Sequence, residues 1–567
     1  MCGIIGSVGS MNHYEVIRRG LKRLEYRGYD SSGISYLDEE RIHLIKTPSS
    51  LDDLDKIVHP YQAFAAMGHT RWATHGKVSL ENTHPFLSPN QTFALVHNGT
   101  IENYRELKEE LEEQGYRFSG ESDSEVALNY LEYLYSKEKD VLKSLFLLDR
   151  QLKGSYSFVV LFRDEPRLYF LKNETPLLIA KDKEGYLISS DLYAFETNSL
   201  EYCELKNHQY GFLEKGKMGL YFEGKRMEED FRRIEIQNKK TDKIHCFMEK
   251  EIEECPEVIE SEIAAYATEN LINEKTIETL KKARKIYVIA CGTSYHAGLL
   301  FKRWVSHAEV EVKLASEFIY EELTFGKNDA FILISQSGET LDVIKSLERL
   351  QGRYTIGITN NPRSKIAREV KKSLDIRVGK EISVASTKAY FGETVVLYLL
   401  AMKLSGRSDN DLKRLPKYLK TAWNQRENVR LLAEEIRKYR SLYFLGKGID
   451  YDAALECSLK LKEITYLHSE ALYIGELKHG PLALVGEDFP VIVVSSQPRF
   501  KGVIDLAKQE IEARKGKIFE FPMQEDDYTL NFLVQVYFGD LLSLYVGRLL
   551  NVNIDKPRNL AKSVTVE

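Results

Sequence analysis

Cys2 stands directly behind the initiator methionine, in the run Met1-Cys-Gly-Ile-Ile-Gly6. Methionine is readily removed before a small residue, so Cys2 is expected to become the first residue of the mature chain. A thiol and a free α-amine then share one residue. The amine's ordinary pKa of about 7.7–8.0 leaves it partly neutral near pH 7. It can take the thiol proton directly or through water, which makes an activated nucleophile carrying its own base. A cysteine at a frayed terminus is the plain alternative.

Four polar clusters accompany Cys2: Tyr26-Arg-Gly-Tyr-Asp30, His69-Thr-Arg-Trp-Ala-Thr-His-Gly76, His97-Asn-Gly-Thr100 and Gly120-Glu-Ser-Asp123. Each has a task if Cys2 attacks an amide. A tetrahedral oxyanion needs fixed donors, and Asn98 can offer its side-chain amide and Gly99 its backbone N–H. An amino-acid substrate needs both of its charges held. Arg71 suits a carboxylate by its fork geometry, and Asp123 suits an ammonium. Taken singly, Asn-Gly is a turn signal, Arg-Trp is surface packing, and His75 and His84 are structural histidines.

A second set of polar runs lies in the other half. Ile289-Ala-Cys-Gly-Thr-Ser294 and Leu333-Ile-Ser-Gln-Ser-Gly-Glu-Thr340 each follow a β-type run and open a helical one. Hydroxyls and free N–H groups at a helix start make an anion site. Neither run contains the Gly-Lys-Ser/Thr of a nucleotide phosphate loop, so a monophosphate fits better. The alternative is N-capping by Ser335 or Ser337. Glu381-Ile-Ser-Val-Ala-Ser-Thr-Lys388 is a polar loop before a long helix, with the same alternative. Lys460 and Glu463, spaced i, i+3, share one helix face. A carboxylate beside a cation can move a proton at a carbon next to a carbonyl, whereas a solvated surface pair would do nothing. His479 sits in a loop between glycine and proline. Lys562, in a tail where lysines are normally solvated, could form a Schiff base if docked in a carbonyl-sugar site.

These groups must be positioned by folded domains. The chain has 567 residues, 43% hydrophobic and 29% charged, enough for several cores and about three or four domains. The net charge of -6 offers no basic surface for nucleic acid. Six scattered cysteines form no disulfide framework or paired metal knuckle, which fits a reducing cytoplasm. No signal peptide is expected, and the longest apolar stretch, near Val395 to Leu404, is too short to span a bilayer.

Residues 2–238 read as one α+β domain. β-type runs at Gly3–Val8, Gly33–Tyr36, Thr92–His97, Tyr156–Phe162, Arg167–Leu171 and Leu187–Ser190 alternate with helical patterns at His13–Leu24 and Ser124–Ser136. Residues 239–276 form a charged connector that turns helical near Glu249–Leu271. Strand–loop–helix alternation follows, the mark of a parallel sheet between helices. Here the chain repeats itself. Arg284–Gly292 lines up with Arg440–Gly448, and Phe331–Ser335 with Val491–Ser495, offset by about 160 residues. Two similar α/β subdomains are expected, 277–405 and 430–550. The polar tail, 551–567, lacks periodicity and must lie over something or be disordered.

Taken together, the N-terminal clusters resemble the class II glutamine amidotransferases, N-terminal-nucleophile glutaminases of layered antiparallel sheets and helices. The resemblance implies a glutaminyl thioester on Cys2 and loss of ammonia. It makes Asn98 and Gly99 the oxyanion hole and gives glutamine to Arg71, Thr74, His75 and Asp123. Trp72 becomes a gate, and Arg27 helps order the site. The C-terminal runs, above all Lys556-Pro-Arg-Asn-Leu-Ala-Lys-Ser-Val-Thr-Val-Glu567, resemble the sugar isomerase (SIS) fold of the glucosamine-6-phosphate synthase family. With the glutaminase half, the match covers nearly the whole chain. It implies a reaction of glutamine with fructose 6-phosphate, needing no metal, nucleotide or organic cofactor. The sugar phosphate falls to Ser335, Gln336, Ser337 and Thr340, with Thr293, Ser294, Val384 and Ser386 lining the sugar. Glu463 becomes the isomerase base, Lys460 its helper, His479 the ring-opening group and Lys562 the Schiff-base lysine. His479 would come from the partner subunit of a homodimer.

Departures and rivals exist. The chain is shorter than usual for the family, and its connector, His245-Cys-Phe-Met-Glu-Lys, lacks the expected aromatic and histidine character. Cys246 and Cys255 there read as bland. An amidotransferase acting on another ketose phosphate shares every motif, because a phosphate loop does not report sugar stereochemistry. A sugar-phosphate sensor would not need Glu463, His479 and Lys562 together.

Overall fold

Side-chain alternation along the first strand sets the layers of the N-terminal part. In Gly3–Gly9, Ile4 and Val8 face one way and Ile5 the other, as the pleat requires. The computed structural model describes residues 2–25, 28, 30–71, 77–195, 199–235, 246–522 and 528–563. Contacts divide the chain into two compact units between Thr241 and Asp242.

In the first unit, Gly3–Gly9 runs antiparallel to Ala65–Arg71 and Gly185–Ser189 within an eight-stranded sheet. Phe93–Ile101 runs antiparallel to Gly154–Phe162 within a seven-stranded one. The two sheets face each other through Ile4, Val8 and Met67 on one side and Ala94, Val96 and Phe170 on the other. Helix His13–Leu24 covers the outside of the first sheet through Ile17, Leu21 and Leu24. Helices Asp123–Glu138 and Val141–Gln151 cover the outside of the second. This is the layered antiparallel α+β arrangement expected. The strand beginning at Phe93 continues past His97 to Ile101, so Asn98-Gly99 lies within a strand and is not a turn.

The second unit carries two parallel sheets. The first has the order Glu309–Leu314, Lys285–Ala290, Ala330–Ile334, Thr355–Thr359, Lys372–Asp375. The second has the order His468–Tyr473, Ser441–Gly446, Val491–Val493, Ile518–Glu520. The repeated segments occupy the second and third places in both sheets, which is the structural form of the internal repeat. Helices Asn410–Asn424 and Arg426–Ile436, which the sequence left unassigned, lie between them in the chain. Lys388–Ser405 and Asn531–Leu549 are buried on almost every face, so their all-round apolar character reports core helices. No helix among the described residues is long and apolar enough to cross a membrane.

The connector helix starts at Phe247, two residues earlier than expected. Its first amides are satisfied from far along the chain: Phe247 and Met248 donate their N–H groups to the Asp555 carboxylate at 2.9 and 2.8 Å. The carbonyl of Asp555 in turn accepts the Val384 N–H at 3.0 Å.

Candidate functional site

Strand parity brings the first set of groups to one end of the sheet sandwich. Ala65 and Met67 point between the sheets, and His69 and Arg71 follow at the same parity. Ala94 and Val96 point there too, and Asn98 follows them. The register sets His69 opposite Ile4, two residues after Cys2. The Asn98 side-chain amide donates to the Cys2 carbonyl at 3.0 Å, and its Oδ1 lies 3.1 Å from His69 Nε2. Gly99 has φ +128, and a Cβ there would come within 2.0 Å of the Ser155 carbonyl, so only glycine fits behind the expected oxyanion donor.

Asp123 opens its helix and accepts the Ile101 N–H at 2.9 Å. Arg71 is buried. Burial pulls its guanidinium down, and the negative charges of Cys2, Asp123 and Asp30 oppose that shift, so these groups share one electrostatic neighbourhood. Three buried histidines sit behind them. His84 stacks on His69 with centroids 4.1 Å apart, and His97 Nδ1 lies 2.8 Å from Ser124 Oγ. Burial pushes His69 down to about 3 and His84 well below its ordinary value, so both rings are neutral. His84 is thus structural. Arg27, Trp72, Thr74 and His75 lie outside the described residues.

The second set collects at the carboxyl ends of the first parallel sheet and on two facing helices. Ser335, Ser337 and Thr340 form one loop after strand Ala330–Ile334, with Ser335 Oγ 2.8 Å from Thr340 Oγ1 and 3.5 Å from Ser337 Oγ. Neither serine caps the following helix; Thr340 occupies that place and its side chain makes no cap bond. Ser335 and Ser337 instead close the loop by accepting the Gly338 and Glu339 N–H groups. Gly338 has φ +67, with Ser364 Oγ where a Cβ would stand. The Gln336 carbonyl accepts the Asn360 N–H at 2.9 Å.

The loop before helix Lys388–Ser405 is held by a carboxylate missed in the sequence reading. Glu381, fully buried, accepts the Thr387 and Ala389 N–H groups at 2.9 and 3.1 Å. It is also the ion-pair partner of Lys562, whose Nζ lies 3.4 Å from Ser386 Oγ. The Lys562 side chain is only 4% exposed. The tail lysine is therefore docked against the serine-bearing loop. Val384 is fixed beside it through Asp555. The residues after Ser563, which complete the motif that carried the resemblance, lie outside the described residues.

Lys460 and Glu463 are not a solvated surface pair. Lys460 is buried, 2.8 Å from the half-buried Glu463 and 3.4 Å from a second carboxylate, the buried Glu456. Glu456, Lys460 and Glu463 are spaced four and three residues apart on helix Ile449–Thr465 and share a face. Glu456 also accepts from Thr293 Oγ1 at 3.0 Å and lies 2.6 Å from His296 Nδ1, so it joins the two α/β repeats. Burial would lower Lys460, but Glu463 and Glu456 push it up. Burial would raise Glu456, but Lys460, His296 and Thr293 hold it below the usual carboxylate range. Ser294 donates to Glu393 at 2.8 Å, and burial pushes Glu393 up to about 8. The charges of Glu381, Glu456 and Lys562 all act on Glu393, which unites the lysine dock and the Glu456 face in one field.

His479 closes a short 3₁₀ turn, Ile474–His479, rather than a loop, and is exposed. Among the described residues no hydrogen bond joins it to the other groups. A surface recess lined by Lys275, Arg353, Tyr354, Lys371 and Lys372 lies at the opposite ends of strands Thr355–Thr359 and Lys372–Asp375, away from this chemistry. Helical spacing alone does not tell the buried acids Glu456 and Glu393 from solvated ones, and nothing local marks His296 as the partner of Glu456 or Glu381 as that of Lys562.

Comparison with known proteins gives the family. A family model described as a glutamine amidotransferase domain matches residues 69–197, and one described as a SIS domain matches 279–403 and 435–521. The chain is 35% identical over 616 residues to the isomerizing glutamine–fructose-6-phosphate aminotransferase of Clostridium perfringens, covering all of both chains. It is 37% identical over 606 residues to that of Staphylococcus aureus, again covering both completely. Among solved structures, the C-terminal domain of glucosamine-fructose-6-phosphate aminotransferase from Francisella tularensis is similar with a TM-score of 0.51 and 29% identity, over 56% of this chain and all of that one. The chain thus belongs to the family of isomerizing glutamine–fructose-6-phosphate aminotransferases.

Proposed function

We propose that this chain makes glucosamine 6-phosphate and glutamate from fructose 6-phosphate and glutamine, with residues 2–238 as the glutaminase and 277–405 with 430–550 as the isomerase. In the glutaminase, Arg71 holds the substrate carboxylate and Asp123 its ammonium. Thr74 and His75 complete the pocket, and Trp72 is its gate. Cys2, its thiol proton passed to its own α-amine, adds to the side-chain amide carbon. Asn98 Nδ2 and the Gly99 N–H hold the oxyanion. Collapse expels ammonia, which takes the proton held by the α-amine. Water then hydrolyses the thioester to glutamate. The nitrogen must reach the sugar before it equilibrates with water, since ammonium is no nucleophile.

In the isomerase, Ser335, Gln336, Ser337 and Thr340 hold the phosphate, and Thr293, Ser294, Val384 and Ser386 line the sugar. The protein acts as a homodimer in which His479 of the partner subunit opens the sugar ring. Lys562 condenses with the C2 carbonyl, releasing water, and ammonia displaces the lysine. Glu463 takes a proton from C1 and returns one to C2. Lys460 steadies the negative charge that develops on oxygen. The tail, 551–567, closes over the sugar.

The observation that carries this reading is the burial of Lys562 against Glu381 and Ser386. Desolvating a charged lysine is costly, pairing with Glu381 offsets that cost, and the dock leaves the amine beside the serine-bearing loop. The test is Cys2→Ala, assayed for product from fructose 6-phosphate with glutamine and for sugar-phosphate isomerisation alone. Glutamine-dependent synthesis is expected to stop and isomerisation to persist. Product formed from glutamine at the native rate would remove Cys2 from the scheme.

A further inference from the structure

An oxyanion donor on a side-chain amide has a weakness that a backbone N–H lacks. The carboxamide can turn over and present its oxygen, which would repel the developing charge. In this protein both ends of the Asn98 amide are fixed. His69 Nε2 lies 3.0 Å from the His97 carbonyl as well as 3.1 Å from the amide. A backbone carbonyl only accepts, so Nε2 must carry the hydrogen. The amide atom facing Nε2–H is then the oxygen. At the other end the amide faces the Cys2 carbonyl, also a pure acceptor, so the atom there is the nitrogen.

The donor is itself held in place. His69 is fully buried, and its Nδ1 has no hydrogen-bond partner. Its ring stacks on His84 with an interplanar angle of 20°. His84 Nδ1 accepts the His97 N–H at 3.3 Å, which leaves His84 Nε2, 3.3 Å from Ser124 Oγ, as its donor. Ser124 follows Asp123 in the helix that closes the glutamine site. A solvated histidine would titrate near neutral pH, whereas burial keeps His69 a single-proton donor through that range.

We infer that His69 is a positioning residue of the glutaminase: its Nε2–H locks the Asn98 carboxamide in the one orientation that leaves an N–H beside Cys2 for the oxyanion. This rests on the assignment of Asn98 as the oxyanion donor. His69 acts through the Asn98 amide, which it holds together with the His97 carbonyl, so its removal acts on the rate of the chemical step more than on glutamine binding.

The full-length chain, wild type and His69→Leu, His69→Gln, Asn98→Ala and His69→Leu/Asn98→Ala, is assayed for kcat and KM of glutamine hydrolysis with sugar phosphate present. His69→Leu should lower kcat about 100-fold, with KM within about threefold, because one oxyanion donor is worth about that much. His69→Gln keeps a side-chain N–H donor and should recover kcat to within about tenfold. The double variant should be no slower than Asn98→Ala, since both changes remove one function. A His69→Leu kcat within about threefold of wild type, or losses that multiply in the double variant, would overturn the inference. If His69→Leu does not fold, His69→Gln decides: near-native kcat supports the role, and kcat as low as Asn98→Ala removes it. Native hydrolysis by Asn98→Ala would instead strike the oxyanion assignment itself, and the inference with it.

Discussion

The two sites hold their polar groups in opposite ways. Behind Cys2, buried imidazoles are neutral, and carbonyls, amides and a hydroxyl orient one another without charge. In the second unit, charges are buried in pairs: Lys562 with Glu381, and Lys460 between Glu456 and Glu463. The difference follows the chemistry asked of each. A thioester forms through a brief oxyanion, which needs dipoles already aimed at it. On the proposed scheme, imine formation and proton transfer on a sugar need groups that gain and lose protons, and ion pairing sets those groups against one another.

The sharpest test of this contrast is Lys562→Ala. Formation of sugar product should fall about 1000-fold or more, while glutamine hydrolysis stays within about tenfold of wild type. Product assays on both half-reactions read this directly, and a parallel collapse of the two would show that the sites cannot be separated in this way. Next in size is Lys460→Met. It strands the buried Glu456 and the half-buried Glu463 and should cost the second unit about 3–5 kcal/mol in denaturant unfolding. Adding Glu456→Gln should return part of that loss. An unchanged midpoint for Lys460→Met would mean that the pairing is not structural.

How far the sequence reached is clear from the residues involved in these tests. Cys2, Asn98 and the Ser335–Thr340 loop stand in local motifs that residue type alone makes visible, although Asn98 meets Cys2 across two facing sheets, 96 residues away in the chain. The repeat at Arg284 and Arg440 exposed the two parallel sheets because each copy must build its own strand and loop. Glu381 and Lys562, in contrast, are 181 residues apart. Their pairing depends on where the tail settles, which no periodicity encodes. Glu456 looks in sequence like any acid on a charged helix; only the approach of Thr293 and His296, 163 and 160 residues earlier, makes it part of a site. His69 stood in view inside a motif, but its role needed the strand parity and the register against Cys2's strand.

The smallest expected effect is a pair of opposite pH limbs. The unfolded chain protonates His69 near its ordinary value of 6.5, while the folded chain does so only near 3. The unfolded state therefore binds more protons in that window, and stability is lost as pH falls through it. Glu393 reverses the sign. It ionises near 4.5 when unfolded and near 8 when folded, so stability is lost as pH rises between those values. Each limb is on the order of a few kcal/mol. Calorimetric melting from pH 5 to 8.5 should show Glu393→Gln flattening only the alkaline limb and His69→Gln only the acid one. A variant that flattened the other limb would break the contrast between the sites.

Asp555 adds a matter of timing. The helix beginning at Phe247 finds the acceptor for its first amides 308 residues downstream. During synthesis that helix emerges early with its leading N–H groups met only by water, and it waits for nearly all of the second unit to be translated. Its start becomes fully anchored only after Asp555 has left the ribosome, and the same residue then fastens the Val384 loop. Shortening the chain ahead of Asp555 would therefore remove more than Lys562: it would leave the first turn of a core helix and the Val384 loop unmoored together.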